Sequence, residues 1–134
     1  LIPEAYVYHK RRSTFRQFFK QVYNSGIARI NLHLAHPGSL RLVHFLPSFF
    51  VTVMVLSLLL SFFYPVVVLA PALYSLLVLI DSTARNNSLR VGFYSIAAAW
   101  TQLFGYGAGF ISAIWKRLIL KKGEFNAFEK KFYE

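Results

Sequence analysis

The longest uncharged segment of the chain runs from Leu42 to Ile80 and contains no Asp, Glu, Lys or Arg. As one continuous helix it would be roughly 58 Å long, about twice the roughly 30 Å thickness of a bilayer's hydrocarbon core. Pro65 lies near its middle and predicts a turn, because proline interrupts a helix. The pattern therefore predicts a membrane hairpin of two helices, about 43–64 and 66–80. Helices that are apolar on every face are rare in soluble cores, which favours a bilayer.

A second uncharged segment covers about 91–115 and follows a polar stretch, Asp81–Arg90, that we interpret as a loop. Its helical length of roughly 37 Å is enough for one tilted crossing. Three alternating glycines, Gly105, Gly107 and Gly109, predict either close packing with another helix or a break. A third full crossing would place the two basic ends on opposite sides, whereas the positive-inside rule favours both in the cytoplasm. We therefore expect three membrane segments, with the third either a full crossing or re-entrant.

Residues 13–38 are predicted to form an amphipathic helix and a turn, with Ser13 or Thr14 as the N-terminal cap. Basic and amide side chains occupy one part of the helical wheel, an arrangement typical of a helix lying in the plane of lipid headgroups. The alternative is a helix packed on a soluble domain, and Gly26 is a candidate break in either case. The apolar face consists of Phe15, Phe18, Phe19, Val22, Tyr23, Ile27, Ile30 and Leu34.

Two histidines, His33 and His36, lie three residues apart near the end of this helix, a spacing that suits a metal ion. Neither an acidic residue nor a cysteine lies nearby, so hydrogen bonding at a membrane surface is the favoured role. The chain has no cysteine at all, which excludes a disulfide scaffold.

The N-terminal residues combine a short β-prone run, Ala5–Tyr8, with a dense basic motif, His9-Lys10-Arg11-Arg12. So short a run cannot form a sheet, and we expect it to be a late strand of a domain that precedes it. A basic motif at the end of a strand suits phosphate groups, which Arg grips with two hydrogen bonds. The alternative is a solvated charge run that only sets membrane topology, and the residues themselves leave both open.

Composition narrows the class of protein. Apolar residues make up 56% of the 134 residues and charged residues 15%, an unusual balance for a soluble fold. The net charge of +10 is concentrated before Leu42 and after Trp115, which favours membrane lipids and disfavours nucleic acid as the partner. The hairpin carries no ionised side chain, which argues against a pump or transporter.

The order of strand, basic motif, amphipathic helix and hairpin resembles the C-terminal portion of bacterial membrane-bound family-2 glycosyltransferases of the GT-A type. The resemblance is carried by Ala5-Tyr-Val-Tyr-His-Lys-Arg-Arg-Ser-Thr-Phe-Arg-Gln-Phe-Phe-Lys-Gln and Tyr23-Asn-Ser-Gly-Ile-Ala-Arg. More loosely, Gly105-Tyr-Gly-Ala-Gly-Phe and the basic, aromatic tail are similar as well. It implies that residues 1–12 are the end of a truncated catalytic domain.

The resemblance also implies roles for the basic motif. His9 would complete the shell of a divalent metal, Mg or Mn, and Lys10, Arg11 and Arg12 would bind the diphosphate of a nucleotide-sugar. The Gln-x-x-Arg-Trp motif of the processive members is absent, which favours a single sugar transfer over polymer synthesis. The family's Asp-x-Asp motif and general base would lie upstream, so we expect no catalytic residue here and no activity from the fragment alone.

We thus expect a mainly α fold with a short N-terminal strand remnant, an amphipathic interfacial helix (13–38), a membrane domain (39–115) and a basic amphipathic tail (116–134). The expected function is the C-terminal part of a glycosyltransferase acting on a lipid-linked or cell-surface polysaccharide acceptor. Its expected place is the bacterial inner membrane, with the N-terminal part cytoplasmic. The alternative is a small non-enzymatic basic membrane protein that binds anionic lipid or a partner protein.

Overall fold

The computed structural model describes residues 14–125, and this part of the chain is mainly α-helical without a β-strand. Its four α-helices are α1 (Phe15–Ala35), α2 (Leu46–Leu60), α3 (Leu69–Asn86) and α4 (Leu89–Ala113). Short 3-10 turns, Leu42–His44 and Pro65–Val68, precede α2 and α3, and a π-helical turn, Ile114–Ile119, extends α4. The mainly α class is confirmed, whereas the expected strand at Ala5–Tyr8 lies outside the described residues.

Helix α1 begins at the predicted cap, since the Thr14 hydroxyl accepts a hydrogen bond of 3.3 Å from the Gln17 backbone amide. It continues through Gly26 without a break. Only Gly26, Ile27 and Ile30 are buried, so α1 contributes a narrow stripe of small and β-branched residues to the core. The candidate break at Gly26 is therefore absent.

Helix α4 is the centre of the fold, because it packs most extensively on α1 and also on α3 and α2. The fully buried core consists of Ile27 and Ile30 from α1 with Phe110 and Ala113 from α4. Helices α2 and α3 contact α4 more than they contact each other. The predicted hairpin is therefore held together mainly through the third apolar helix.

Glycines allow α1 and α4 to approach closely. A Cβ atom on Gly109 would overlap the carbonyl oxygen of Tyr23 and lie 2.8 Å from its carbonyl carbon. Gly26 makes the reciprocal approach, since its Cβ would overlap the carbonyl oxygen of Tyr106 and lie 2.7 Å from the amide nitrogen of Phe110. Of the two roles predicted for the alternating glycines, close packing is the one observed. Helix α4 is continuous, so the break that a re-entrant segment would need is absent.

The polar stretch Asp81–Arg90 is mostly helical, and its interpretation as a loop is wrong. Asp81 and Arg85 form an exposed ion pair one turn apart on α3, with 2.8 Å between Oδ1 and Nε. Asn87, in the left-handed conformation with φ 49°, ends α3, and the Ser88 hydroxyl caps α4. The polar residues of this stretch therefore form the exposed end of α3, the two-residue connection and the start of α4.

Among the described residues, one helical segment, Pro65–Asn86, is long and apolar enough to cross a membrane by length and composition. Helix α2 is apolar but shorter, with 15 residues that span about 22 Å. Helix α4 is long, but its glycines and polar residues such as Gln102 make it less apolar. The sequence predicts three membrane segments, and only the second meets this criterion as a helix.

Candidate functional site: an apolar surface and a basic cleft

The side chains of α2 have the opposite arrangement to those of a soluble helix. Its buried positions include two serines, Ser48 at 8% and Ser57 at 7% exposure. Large apolar side chains point outward instead, and Phe49 and Leu59 are 67% and 65% exposed. Small side chains on the inner side let α2 approach α4, where Gly107 lies against Val51.

Helix α3 repeats this arrangement, with Leu73 and Leu77 both 57% exposed. Only 6% of the apolar window in Pro65–Asn86 is buried. Together α2, the turn before α3, and α3 present what we call the apolar surface. It consists of Phe49, Val53, Leu56, Leu59, Leu60, Val66, Leu69, Leu73, Leu76, Leu77 and Ile80.

An aromatic junction ties both helices to α4 behind this surface. The rings of Phe50 and Tyr74 lie 4.9 Å apart, and Trp100 of α4 lies 5.4 Å from Tyr74. The Trp100 indole Nε1 donates a hydrogen bond of 3.0 Å to the Ser75 hydroxyl, which donates to the Pro71 carbonyl oxygen. The Trp100 indole and the Ser75 hydroxyl therefore both have hydrogen-bond partners in an apolar setting.

A second feature, which we call the basic cleft, lies where α1, the segment before α2, and α4 meet. Two cavities of about 440 and 350 Å³ share Arg29, Val43 and His44 in their walls. Arg41 and Ser39 also line the smaller cavity, and Tyr106, Gln102 and Ser25 also line the larger one. The cleft therefore collects cationic and hydroxyl side chains from three parts of the chain.

Burial and the two neighbouring arginines act in the same direction on His44 of the basic cleft. Burial lowers the pKa of His44, and the positive charges of Arg29 and Arg41 lower it further. The Nδ1 atom of His44 accepts a hydrogen bond of 2.8 Å from the Arg41 backbone amide. A neutral His44 therefore carries its proton on Nε2, where it acts as a donor.

The start of the basic tail is bound to α1. The Arg117 side chain donates hydrogen bonds to the Asn31 side-chain oxygen at 3.0 Å and to the Lys122 carbonyl oxygen at 2.8 Å. Asn31 in turn donates to the Glu124 carboxylate at 3.4 Å, and Lys116 lies 4.5 Å from the ring centroid of Phe125. Residues 126–134, the remainder of the predicted amphipathic tail, lie outside the described residues.

The residues that the resemblance singles out, His9, Lys10, Arg11 and Arg12, lie outside the described residues. They precede α1 directly in sequence, so the first described structure after them is the Thr14 cap. His33 and His36 are described, and within residues 14–125 no cluster of three or more His, Asp or Glu side chains is placed to hold a metal ion.

The arginines of the basic cleft do not stand out in the sequence. Arg29 lies in α1 and Arg41 in the connection to α2, and only the packing of α1 on α4 brings them together. The signal for Arg29 is its position directly before Ile30, a buried residue of α1. A charge is costly so close to a core, which suggests that Arg29 has a specific role. Comparison with known proteins adds no further assignment: no family model, curated protein or solved structure matches this chain.

Proposed function

We propose that the chain is the membrane-anchoring C-terminal region of a family-2 glycosyltransferase. In this proposal it holds the last motif of a catalytic domain at the cytoplasmic face of the bacterial inner membrane. The parent enzyme transfers a sugar from a nucleotide-sugar to a lipid-linked or cell-surface polysaccharide acceptor. The glycosyltransferase assignment is supported by the sequence resemblance from Ala5 through the start of α1.

The single structural observation that carries the anchoring role is the apolar surface of α2 and α3. Burying that surface in lipid contributes roughly 25 cal/mol per Å² removed from water. Helices α2 and α3 then enter the hydrocarbon together, and the exposed pair Asp81–Arg85 lies at the far end of α3. Helix α4 supports them from behind through the aromatic junction.

Helix α1 connects this anchor to the basic motif. Its glycine crossing with α4 fixes α1 against α4, and α1 starts at Phe15, with Ser13 and Thr14 between it and Arg12. In this proposal, α1 holds the motif close to the lipid headgroups. There His9 would hold a divalent metal, Mg or Mn, and Lys10, Arg11 and Arg12 would neutralise the diphosphate leaving group.

The test is His9→Ala in the full-length natural protein, measured as metal affinity and as rate of sugar transfer. We expect metal affinity to weaken by at least about tenfold. Even the mutation of a residue that only supports a metal ligand weakens metal affinity by about that factor. Arg16→Gln is the control, because Arg16 is an exposed charge on α1 outside the motif. Unchanged metal affinity and rate in His9→Ala would show that the site assignment is wrong.

The second candidate is a small non-enzymatic basic membrane protein, and the observation that favours it is the basic cleft, which needs no catalytic domain. DNA immediately upstream of the Leu1 codon separates the two candidates. An open frame of domain length with an Asp-x-Asp after a β/α pattern supports the glycosyltransferase. A start codon directly beside Leu1 supports the small lipid-binding or partner-binding protein.

A further inference from the structure

We propose that the basic cleft binds the phosphate ester of an anionic lipid headgroup. The two arginines of the cleft supply planar guanidinium groups, which match the oxygens of a phosphate with paired hydrogen bonds. This inference does not depend on the glycosyltransferase assignment, because every residue that carries it lies within residues 14–125.

Within residues 14–125, no carboxylate compensates the charge of the cleft. Within the described residues the carboxylates are Asp81 and Glu124, and neither lines the cleft. Asp81 pairs with Arg85, and Glu124 accepts a hydrogen bond from Asn31. Two arginines that share a cleft without a carboxylate favour an anionic ligand from outside the protein.

The cleft also contains a buried hydroxyl group. The Ser39 oxygen is buried, and no hydrogen-bond partner for it is found among the described residues. An unpaired buried hydroxyl costs free energy unless a ligand or water satisfies it. Ser39 lies in the same wall as Arg41 and His44, so a phosphate bound by the guanidinium groups has a hydroxyl donor beside it.

One of the two arginines is already positioned. The half-buried Arg29 side chain lies beside Tyr106 of α4 in the wall of the larger cavity. This packing restricts the guanidinium group and lowers the entropy cost of holding a ligand. Arg41, by contrast, is exposed and lines the smaller cavity, where its guanidinium group is accessible to a ligand.

The position of the cleft favours a lipid headgroup as the source of the phosphate. Arg41 directly precedes the uncharged segment, and Leu42 and Leu46 beside it are 87% and 59% exposed. Cationic side chains next to exposed apolar residues lie at the level of lipid phosphates when a helix enters a bilayer. A soluble phosphate compound shares the same chemistry, and the experiment separates the two sources.

The experiment uses the full-length natural protein in dodecyl maltoside micelles, which contain no phosphate. Phosphatidylglycerol or inorganic phosphate is titrated in, and the arginine side-chain Nε–H resonances are followed by NMR. We expect the Arg29 and Arg41 resonances to shift saturably with phosphatidylglycerol. Arg41→Gln should weaken this binding by about tenfold or more, the loss typical of one hydrogen bond to a charged group.

Two controls make the result specific to the cleft. Arg16→Gln removes the same positive charge at an exposed position of α1 outside the cleft and should leave the affinity unchanged. Arg41→Lys keeps the charge but loses the planar fork, so its affinity should fall between those of the original protein and Arg41→Gln. Because Arg41 is exposed, its substitution should leave the helical circular-dichroism spectrum intact, whereas Arg29→Gln changes a half-buried side chain between α1 and α4.

Each outcome is informative. Saturable shifts with phosphatidylglycerol alone support the proposal with a lipid as the source, whereas shifts of equal affinity with inorganic phosphate show a soluble source. Absence of shifts with both anions overturns the proposal. Equal weakening by Arg16→Gln and Arg41→Gln also overturns it, because binding would then depend on overall charge.

Discussion

Gly109 is the residue at which α1 and α4 lie closest, since its missing Cβ leaves room for the backbone of Tyr23. In Gly109→Ala the new methyl group meets backbone atoms, which yield only if the two helices separate. We expect the free energy of unfolding in mixed micelles to fall by about 1–3 kcal/mol, the usual cost of overpacking. Gly123→Ala is the matched control, because nothing lies within 4 Å of the added Cβ. Equal stability of the two variants would rule out a tight crossing at Gly109.

His44 reports the positive potential of the basic cleft. Its pKa is lowered by burial and then by Arg29 and Arg41, so the folded protein binds the proton more weakly than the unfolded chain. Stability therefore falls as the pH drops from the ordinary histidine value to the lowered one, and it is constant below that. An NMR titration of His44 should give a midpoint below the ordinary value. In Arg41→Gln the midpoint of the His44 titration should rise, because a positive charge that lowers its pKa is lost. An unchanged midpoint would show that Arg41 does not lie close to His44 in the cleft.

At the scale of the element, the exposed apolar side chains of α3 make this helix the best place to test for contact with lipid. Leu77 lies near the centre of Pro65–Asn86 and is 57% exposed. If that face contacts lipid, Leu77→Lys raises the apparent free energy of membrane insertion by about 3–4 kcal/mol, because the cost of Lys adds to the lost contribution of Leu. A microsomal insertion assay on the Pro65–Asn86 segment measures this directly.

The control for that prediction is Ala84→Lys on the same helix. Ala84 is exposed but lies beside Arg85 at the helix end, where a lysine reaches the headgroups at little cost. Its insertion should match that of the unchanged segment. Insertion of Leu77→Lys at the same level would mean that the segment does not enter the bilayer.

Local signals predicted several boundaries of the elements. The cap at Thr14 and the proline turn at Pro65 lie where expected, because each depends on one residue and its immediate neighbours. The polar stretch after Asp81 was harder to interpret, since an exposed helix end and a loop have similar composition. Only the spacing of Asp81 and Arg85 by one helical turn distinguishes them.

Long-range packing was less accessible from the sequence. The alternating glycines of α4 permitted both a break and close packing, and the choice depends on α1, a helix far away in sequence. The basic cleft exists only after that packing, so neither Arg29 nor Arg41 indicates it alone. The basic motif His9–Arg12 lies outside the described residues, and its predicted role stays a prediction.

At the scale of the whole molecule, the fold has a small buried core between α1 and α4 and an outward apolar surface on α2 and α3. A soluble fold would bury its leucines and expose its serines, and α2 does the reverse. A continuous exposed apolar surface of this kind marks a site of contact with a membrane or another protein. The anchoring role that we propose requires lipid to cover this surface.

The most direct test is the depth of spin labels on single-cysteine variants in proteoliposomes, which this cysteine-free sequence allows. Leu73→Cys probes the apolar surface, Met54→Cys the interior and Gln21→Cys the exposed polar side of α1. We predict that the label at Leu73 is relaxed strongly by oxygen and weakly by a water-soluble nickel chelate, with the reverse at Gln21. Strong relaxation by the nickel chelate at Leu73, or the low accessibility to both reagents expected at Met54, would contradict lipid contact.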